Sequence, residues 1–366
     1  MSKETITGGQ YTSITIMFMI SSSLFMGGAG LSGNSIWVSL LLAITMAVPL
    51  VCIYARLHAL FPGKNIFDML IAVFGKVAGR VVACSYIWYS LHLGALVLRN
   101  FGEFSKTVPL TATPMIVPML CIGLLCVWAV RAGIEVIGRS AKFLVLFVLF
   151  ELFIIQIFSL PLFEYHHLLP LLDNGWNAVL SDAMSSFSFP LAETVLLLGA
   201  FHSLPDRASA YRVMLSGVLI SGGVIILVYL RNMLVLGPEI ITSLYFPSYV
   251  ATSRINIGDF LTRIEGSSAI AFVTALVIKV SLCLYVASIG IAKVFNLKSY
   301  RSVVLQMGLI MVYLSVFIFK DIMGMQYFAF HIYKVYAFPF QVIIPMILWI
   351  GSEIVVRRNK NKTAVA

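Results

Sequence analysis

The sequence predicts an all-α polytopic membrane protein, a single transmembrane domain over residues 1–366 built from about ten helices in two five-helix sets of opposite topology. The first observation behind this is composition. Of 366 residues, 60% are hydrophobic and 11% charged, and the mean hydropathy is +0.98, far from the make-up of a soluble globular chain. The second is segmentation. Apolar runs near the ~20 residues that span hydrocarbon fall at 12–33, 36–57, 81–104, 114–130, 143–161, 184–204, 213–235, 269–295, 302–319 and 335–356. The third is recurrence: the first and sixth runs both carry a serine-rich interruption, and each opens one set of five, over 12–161 and 184–356. Because five is odd, the two sets cross the membrane in opposite senses.

The formal charge of +10 does not point to nucleic acid, since retention of Lys and Arg on the cytoplasmic side makes many membrane proteins basic. With the N-terminus inside, seventeen of the 25 Lys and Arg fall in inner segments and seven in outer ones. Lys279 is left over, within the eighth run, and the asymmetry puts both termini inside. Cys52, Cys84, Cys121, Cys126 and Cys283 all lie in apolar runs with no Cys-x-x-Cys spacing, so they are expected to be core residues rather than disulfide or zinc ligands. The run after Met1 is long enough to span and lacks the layout of a cleaved signal peptide.

In chain order, the first run reads Met19-Ile20-Ser21-Ser22-Ser23-Leu24-Phe25-Met26-Gly27-Gly28-Ala29-Gly30. Serine side chains offer the backbone alternative hydrogen bonds and glycine adds freedom, so the helix is expected to unwind at Ser21–Ser23. Unwound backbone at membrane depth persists only in protein or beside a polar cavity, which makes it a pointer to a binding site; close helix packing through small residues is the alternative. Gly28-Ala29-Gly30-Leu31-Ser32-Gly33 fits a dinucleotide-binding pattern but lacks the strand and the acidic residue that such a site needs. After the second run, Ile66–Phe74 is too short to cross and is placed at the interface. The third run holds Leu91-His92-Leu93 at its centre. Arg99 and Glu103, four residues apart near its outer end, are expected to pair at the surface. Glu151 lies near the middle of the fifth run. The outer segment that follows carries His166-His167, whose adjacency does not suit one helical metal face, so a solvated loop is expected.

The sixth run begins Met184-Ser185-Ser186-Phe187-Ser188-Phe189-Pro190-Leu191-Ala192-Glu193. Pro190 removes a backbone donor and clashes with the preceding turn, so this helix should break. Two interrupted helices in corresponding positions of inverted halves are the pattern of a transporter whose site lies at mid-membrane. Glu193 lies just past the break, and Lys279 shares a helical face with Cys283 in the eighth run. An ionisable residue at that depth costs roughly 2.5–3.5 kcal/mol on insertion scales unless paired or hydrated. Lys279 is therefore expected to face the interior and to be neutral, hydrated or paired with a carboxylate such as Glu193 or Glu151. Between the seventh and eighth runs, Gly237 to Gly266 is expected to form either short amphipathic helices over the outer mouth or a surface for a partner.

Phe61-Pro62-Gly63-Lys64, Leu98-Arg99-Asn100-Phe101-Gly102-Glu103-Phe104, Arg131-Ala132-Gly133-Ile134-Glu135-Val136-Ile137-Gly138-Arg139, Ser188-Phe189-Pro190 with Glu193, and Ile257-Gly258-Asp259-Phe260 together resemble the spore permease family, the B subunits of Ger-type endospore germinant receptors. That family is distantly similar to amino acid–polyamine–organocation transporters with the LeuT-like inverted-repeat fold. The resemblance implies a subunit of the spore inner membrane that binds a small germinant, commonly an amino acid, and acts with A and C subunits. The chain departs from the transporter pattern where a Gly-x-Gly break is replaced by Ser21-Ser22-Ser23. The expected binding residues are Ser21, Ser22, Ser23, Leu24, Leu93, Phe189, Pro190, Glu193, Lys279 and Cys283, with the ligand carboxylate on backbone N–H groups at Ser21–Leu24. Two functions fit: a ligand sensor that shifts a conformational equilibrium, or a secondary amino acid transporter with Glu193 or Glu151 carrying a proton or Lys279 standing in for a coupling cation. No nucleophile–base pair, metal cluster or cofactor motif points to an enzyme. The partners expected are the germinant, the A and C subunits and membrane lipid.

Overall fold

The computed structural model describes residues 4–26, 30–204, 209–256 and 264–365, and its regular structure is helical throughout. Six helices are long and apolar enough to cross a bilayer, at Gly33–Leu60, Lys76–Thr107, Ile134–Leu162, Ala210–Leu236, Glu265–Val294 and Ile322–Arg358; Ile116–Ala132 and Val304–Phe317 are shorter and apolar. A helix at the N-terminus and an interrupted one from Gly175 complete the ten expected segments.

In order they are α1 (Gly8–Met26), α2 (Ile36–Leu60), the short α3 (Ile66–Phe74), α4 (Lys76–Thr107), α5 (Ile116–Ala132), α6 (Ile134–Ser159), α7 (Gly175–Ser186) and α8 (Ser209–Leu236). Two short helices, α9 (Pro238–Ser243) and α10 (Pro247–Ser253), precede α11 (Glu265–Val294) and α12 (Val304–Phe317). The last crossing is α13 (Ile322–Tyr327), α14 (Tyr333–Phe338) and α15 (Ile344–Val365), joined by π turns. Contacts sort them into two groups. α4, α5, α11 and α12 pack together, as do α1, α2, α7 and α8, and the groups meet where α1 lies along α11. The most apolar window of α11 is 72% buried and that of α6 only 28%. Phe143, Leu146, Phe150 and Phe153 of α6 stay exposed, as hydrocarbon-facing side chains should be.

Several expectations are corrected. α1 runs unbroken through Ser21, Ser22 and Ser23. A serine hydroxyl in a helix can return its hydrogen bond to the carbonyl four residues back, and Ser23 Oγ does so to Met19 at 3.2 Å, so the backbone keeps its own ladder. The glycines at 27 and 28 lie outside the described residues, as does the motif at 257–260. Arg99 and Glu103 do not sit at the surface. Both are buried, 2.7 Å apart, and Arg99 Nη1 donates to the Val316 carbonyl at 2.8 Å. That carbonyl belongs to the last turn of α12, where unsatisfied acceptors and the helix dipole favour a cation. The sixth segment begins at Gly175 rather than 184, so Asp182, expected in the outer segment, is buried in α7, where it accepts from Ser32 N and Oγ at 2.7 and 2.6 Å. Of the cysteines, Cys126 and Cys283 are buried, whereas Cys84 and Cys121 are exposed on outward helix faces.

At the N-terminal end, Glu4 accepts from Arg301 Nη2 at 2.6 Å and from the Tyr300 hydroxyl at 3.0 Å. Burial and the Glu4 carboxylate push the Tyr300 hydroxyl up, which keeps it a donor. Gly133 stands between α5 and α6 with φ +107°, where an added Cβ would lie 3.0 Å from Glu4 Oε1; only glycine suits both the backbone and that contact.

Replacing Arg99 by Met strands the buried Glu103 carboxylate and opens the carbonyls of α12. The expected cost is about 3–5 kcal/mol, read as a lower unfolding temperature in detergent. Arg99→Met with Glu103→Leu should recover part of it, since two apolar side chains leave no buried charge.

A candidate ligand cavity at the broken helix

The break expected at Pro190 is present. α7 ends at Ser186, a π turn spans Phe187–Leu191 with Phe189 in an extended conformation (φ −135°, ψ 112°), and a tighter 3-10 stretch continues over Ala192–Gly199. Carbonyls released from an α-helical ladder must find other donors in a dry environment. Gln341 Nε2, from the last crossing, donates to Ser188 O at 2.8 Å, and the Tyr11 hydroxyl of α1 donates to Leu197 O at 2.7 Å.

One turn beyond the break, Glu193 and Lys279 of α11 form an ion pair at 2.6 Å with both side chains 0% exposed. The other oxygen, Glu193 Oε1, accepts from the Tyr333 hydroxyl of α14 at 2.6 Å. Tyr333 lies 3.1 Å from the Tyr89 hydroxyl of α4, to which Gln341 Nε2 donates at 2.9 Å. The ammonium also stands 4.9 Å from the Phe18 ring centre and 5.0 Å from that of Phe189, within cation–π range. The lysine amine thus has a carboxylate and two ring faces, one on α1 and one on the break. The sequence left Glu193 and Glu151 as equal partners; the structure pairs Lys279 with Glu193. Glu151 is buried on α6 with neither oxygen hydrogen-bonded among the described residues.

On the far side of Phe189 lies a cavity of about 40 Å³, lined by Ser22, Leu96, Val97, Asn100, Phe189, Met325, Phe328, Ala329 and Tyr333. At ~10–15 Å³ for one water it holds roughly three, so a larger ligand requires its walls to move. Its polar groups are the informative part. Ser22 Oγ and both amide atoms of Asn100 are buried without a hydrogen-bond partner, an arrangement that costs about 1–3 kcal/mol per group and is relieved when a polar ligand supplies the bond. Tyr333 joins the two features, since it lines the cavity and holds Glu193.

Of the residues singled out from sequence, Ser22 and Phe189 line this cavity; Pro190 and Glu193 do not, and Glu193 is joined to it only through the Tyr333 hydroxyl. Lys279 does not line it, although Phe189, which does, has its ring centre 5.0 Å from the ammonium. Leu93 and Cys283 are buried in the seam of α4 and α11, where Ser90 Oγ donates to the Cys283 carbonyl at 2.7 Å. Ser21, Ser23 and Leu24 are buried in α1, and their amides belong to the helix, so they are not the free N–H donors expected for a carboxylate. His92 packs in an aromatic cluster with Trp88 and Tyr336 at 5.5 and 4.9 Å. A second, wider cavity of about 780 Å³ opens at the N-terminal end between Glu4, Asp68, His202, Lys293, Lys298 and Arg301; Lys293 pairs with Asp68 at 2.7 Å and Arg301 with Glu4 at 2.6 Å.

The sequence profile of a family described as "Spore germination protein", the spore permeases, matches residues 5–322. Spore germination protein KB of Bacillus subtilis (strain 168) is 27% identical over 354 residues, covering 96% of this chain and 95% of the relative. Spore germination protein YndE of the same organism is 26% identical over 306 residues, with 80% and 82% covered. Among solved structures, Mhp1, a nucleobase-cation-symport-1 family transporter in a closed conformation with bromovinylhydantoin bound, superposes with a TM-score of 0.71 at 12% identity, covering 97% of this chain and 91% of that one. MhsT in complex with L-phenylalanine gives 0.56 at 15% identity, with 94% and 87% covered. The fold is therefore the 5+5 inverted-repeat transporter fold.

Removing one member of the sealed pair should be costly and removing both should not. Lys279→Met is expected to lose about 3–5 kcal/mol through an uncompensated Glu193, seen as low folded yield and a depressed unfolding temperature. Lys279→Met with Glu193→Leu should regain most of that loss.

Proposed function

The chain belongs to the spore permease family of spore germination proteins, and we propose that it is a membrane-embedded germinant receptor subunit whose germinant, an amino acid, occupies the cavity at the broken helix. The observation that carries this reading is the set of unpartnered polar atoms on the cavity wall, Ser22 Oγ and the Asn100 amide. The Asn100 amide supplies two donors and an acceptor, which suit a carboxylate and an ammonium held side by side. Leu96, Val97, Met325 and Phe328 suit the ligand's own side chain. Entry requires Phe189 to turn from the cavity, and that motion takes one ring face away from Lys279. Ligand occupancy and the packing of the ion pair are then coupled through Phe189 and Tyr333. A ligand shifts such an equilibrium only by its differential affinity for the two arrangements.

In this proposal both termini are cytoplasmic, residues 12–161 and 184–356 are the two repeats, the membrane is the spore inner membrane, and A and C subunits receive the signal. Transport of the amino acid is the second reading, favoured by the buried amine of Lys279 beside the break and by the wide cavity at the N-terminal end.

Asn100→Leu removes a buried unsatisfied amide, so protein levels should hold. The germinant concentration for half-maximal germination should rise about tenfold or more, the loss of a hydrogen bond to a charged group. An unchanged dose response at normal protein level would put the ligand elsewhere. Labelled amino acid uptake into proteoliposomes separates the two functions: uptake above protein-free vesicles establishes transport, and binding without uptake establishes sensing.

A further inference from the structure

The segment between α6 and α7 carries Glu164, His166 and His167, the last two in a short 3-10 turn at Tyr165–Leu168. That turn folds both imidazoles back onto one carboxylate oxygen. His166 Nε2 and His167 Nε2 each lie 3.5 Å from Glu164 Oε2, and all three candidate ligand atoms fall within 4.8 Å of one another. Ligands bound at about 2.0–2.2 Å around a tetrahedral zinc ion are separated by roughly 3.4 Å, close to both nitrogen-to-oxygen separations.

The surroundings prepare the set. His167 Nδ1 lies 3.2 Å from the Leu234 carbonyl of α8. A carbonyl can only accept, so the ring proton belongs on Nδ1 and the lone pair on Nε2 points toward Glu164. A backbone acceptor on the far nitrogen is the usual support of a metal-bound histidine. The same Leu234 carbonyl accepts from Glu164 N at 2.9 Å, so two of the three ligands are held by one atom. Gly237, at φ +77°, leaves the space beside His167 Nε2 open; an added Cβ would stand 2.9 Å from that nitrogen. His167 is 19% exposed, against 74% for His166 and 57% for Glu164, which gives one anchored ligand and two that can close on an ion from solvent.

We propose that Glu164, His166 and His167 form a binding site for a divalent transition-metal ion of the zinc type, with two imidazole nitrogens, one carboxylate oxygen and water in the remaining position. Nitrogen-rich ligand sets of this kind favour zinc, nickel or copper over calcium or magnesium. All three ligands lie in the connection entering α7, the first half of the broken helix, so a bound ion would stiffen that connection, which Glu164 N and His167 Nδ1 already hold to Leu234 O near the end of α8. The proposal stands apart from the assignment of the ligand cavity.

The test uses the full-length, tag-free protein in detergent and Zn²⁺ alone. Titration calorimetry should give one zinc per chain for the wild type, with a raised unfolding temperature, and neither effect for His166→Ala/His167→Ala. That variant also loses the contact of His167 Nδ1 with Leu234 O, so its zinc response is read against its own zinc-free unfolding temperature. Should it fail to fold, Glu164→Gln serves in its place, with zinc affinity expected to fall at least about tenfold. Equal zinc binding by wild type and variant, or no binding by the wild type, would overturn the proposal.

Discussion

A lysine and a glutamate 2.6 Å apart, both closed off from water, set the terms for the centre of this molecule. Taking two charges out of water costs several kcal/mol each, and their attraction repays that only when the geometry is close and the remaining donors and acceptors are used. Here the second glutamate oxygen takes the Tyr333 hydroxyl and the ammonium takes the ring faces of Phe18 and Phe189. Each partner sits on a different element: Lys279 on α11, Glu193 beyond the break, Phe18 on α1 and Tyr333 on α14. The ion pair therefore lies on the seam where α1 runs along α11 and the two helix groups meet. A change at the cavity wall reaches that point through two side chains, Phe189 and Tyr333.

The two interrupted helices proved unequal, and the reason is chemical. Proline deletes a donor, so the ladder at Pro190 has to open and Gln341 is recruited to a stranded carbonyl. Serine deletes nothing, and its hydroxyl folds back on the preceding turn, so α1 continues to Met26. The cavity is in consequence built from side chains, Ser22, Asn100 and Tyr333 among them, more than from exposed backbone. If the proposed ligand occupies it, selectivity would depend on the shape and hydrogen-bonding capacity of those groups.

Ten crossings, the break at Pro190 and the need of Lys279 for a carboxylate were legible because each follows from a cost that hydrocarbon imposes on any sequence. The choice of Glu193 over Glu151 was not legible, since counting residues from a helix end gives depth but not which way a side chain faces. Arg99 and Glu103 were placed at the surface by their nearness to a helix end, but the carbonyls that hold Arg99 belong to α12, more than two hundred positions away. Asn100 and Tyr333 were missed because neither carries a charge or breaks a helix. Asn100 lies within Leu98-Arg99-Asn100-Phe101-Gly102-Glu103-Phe104, and a polar amide within an apolar run was the available signal. At His166-His167 the sequence indicated a solvated loop, and His166 is 74% exposed there; the approach of both rings to Glu164 comes from a 3-10 turn, which spacing along an α-helix does not describe.

The most direct measurement of the account is a cryo-electron microscopy structure of the protein saturated with an amino acid that triggers germination of the intact spore. The account predicts ligand density between Ser22, Asn100 and Tyr333, with the Phe189 ring turned away from its place beside Lys279. Ligand density in the wide cavity between Lys293 and Arg301, with the wall at Phe189 and Asn100 unchanged, would contradict it.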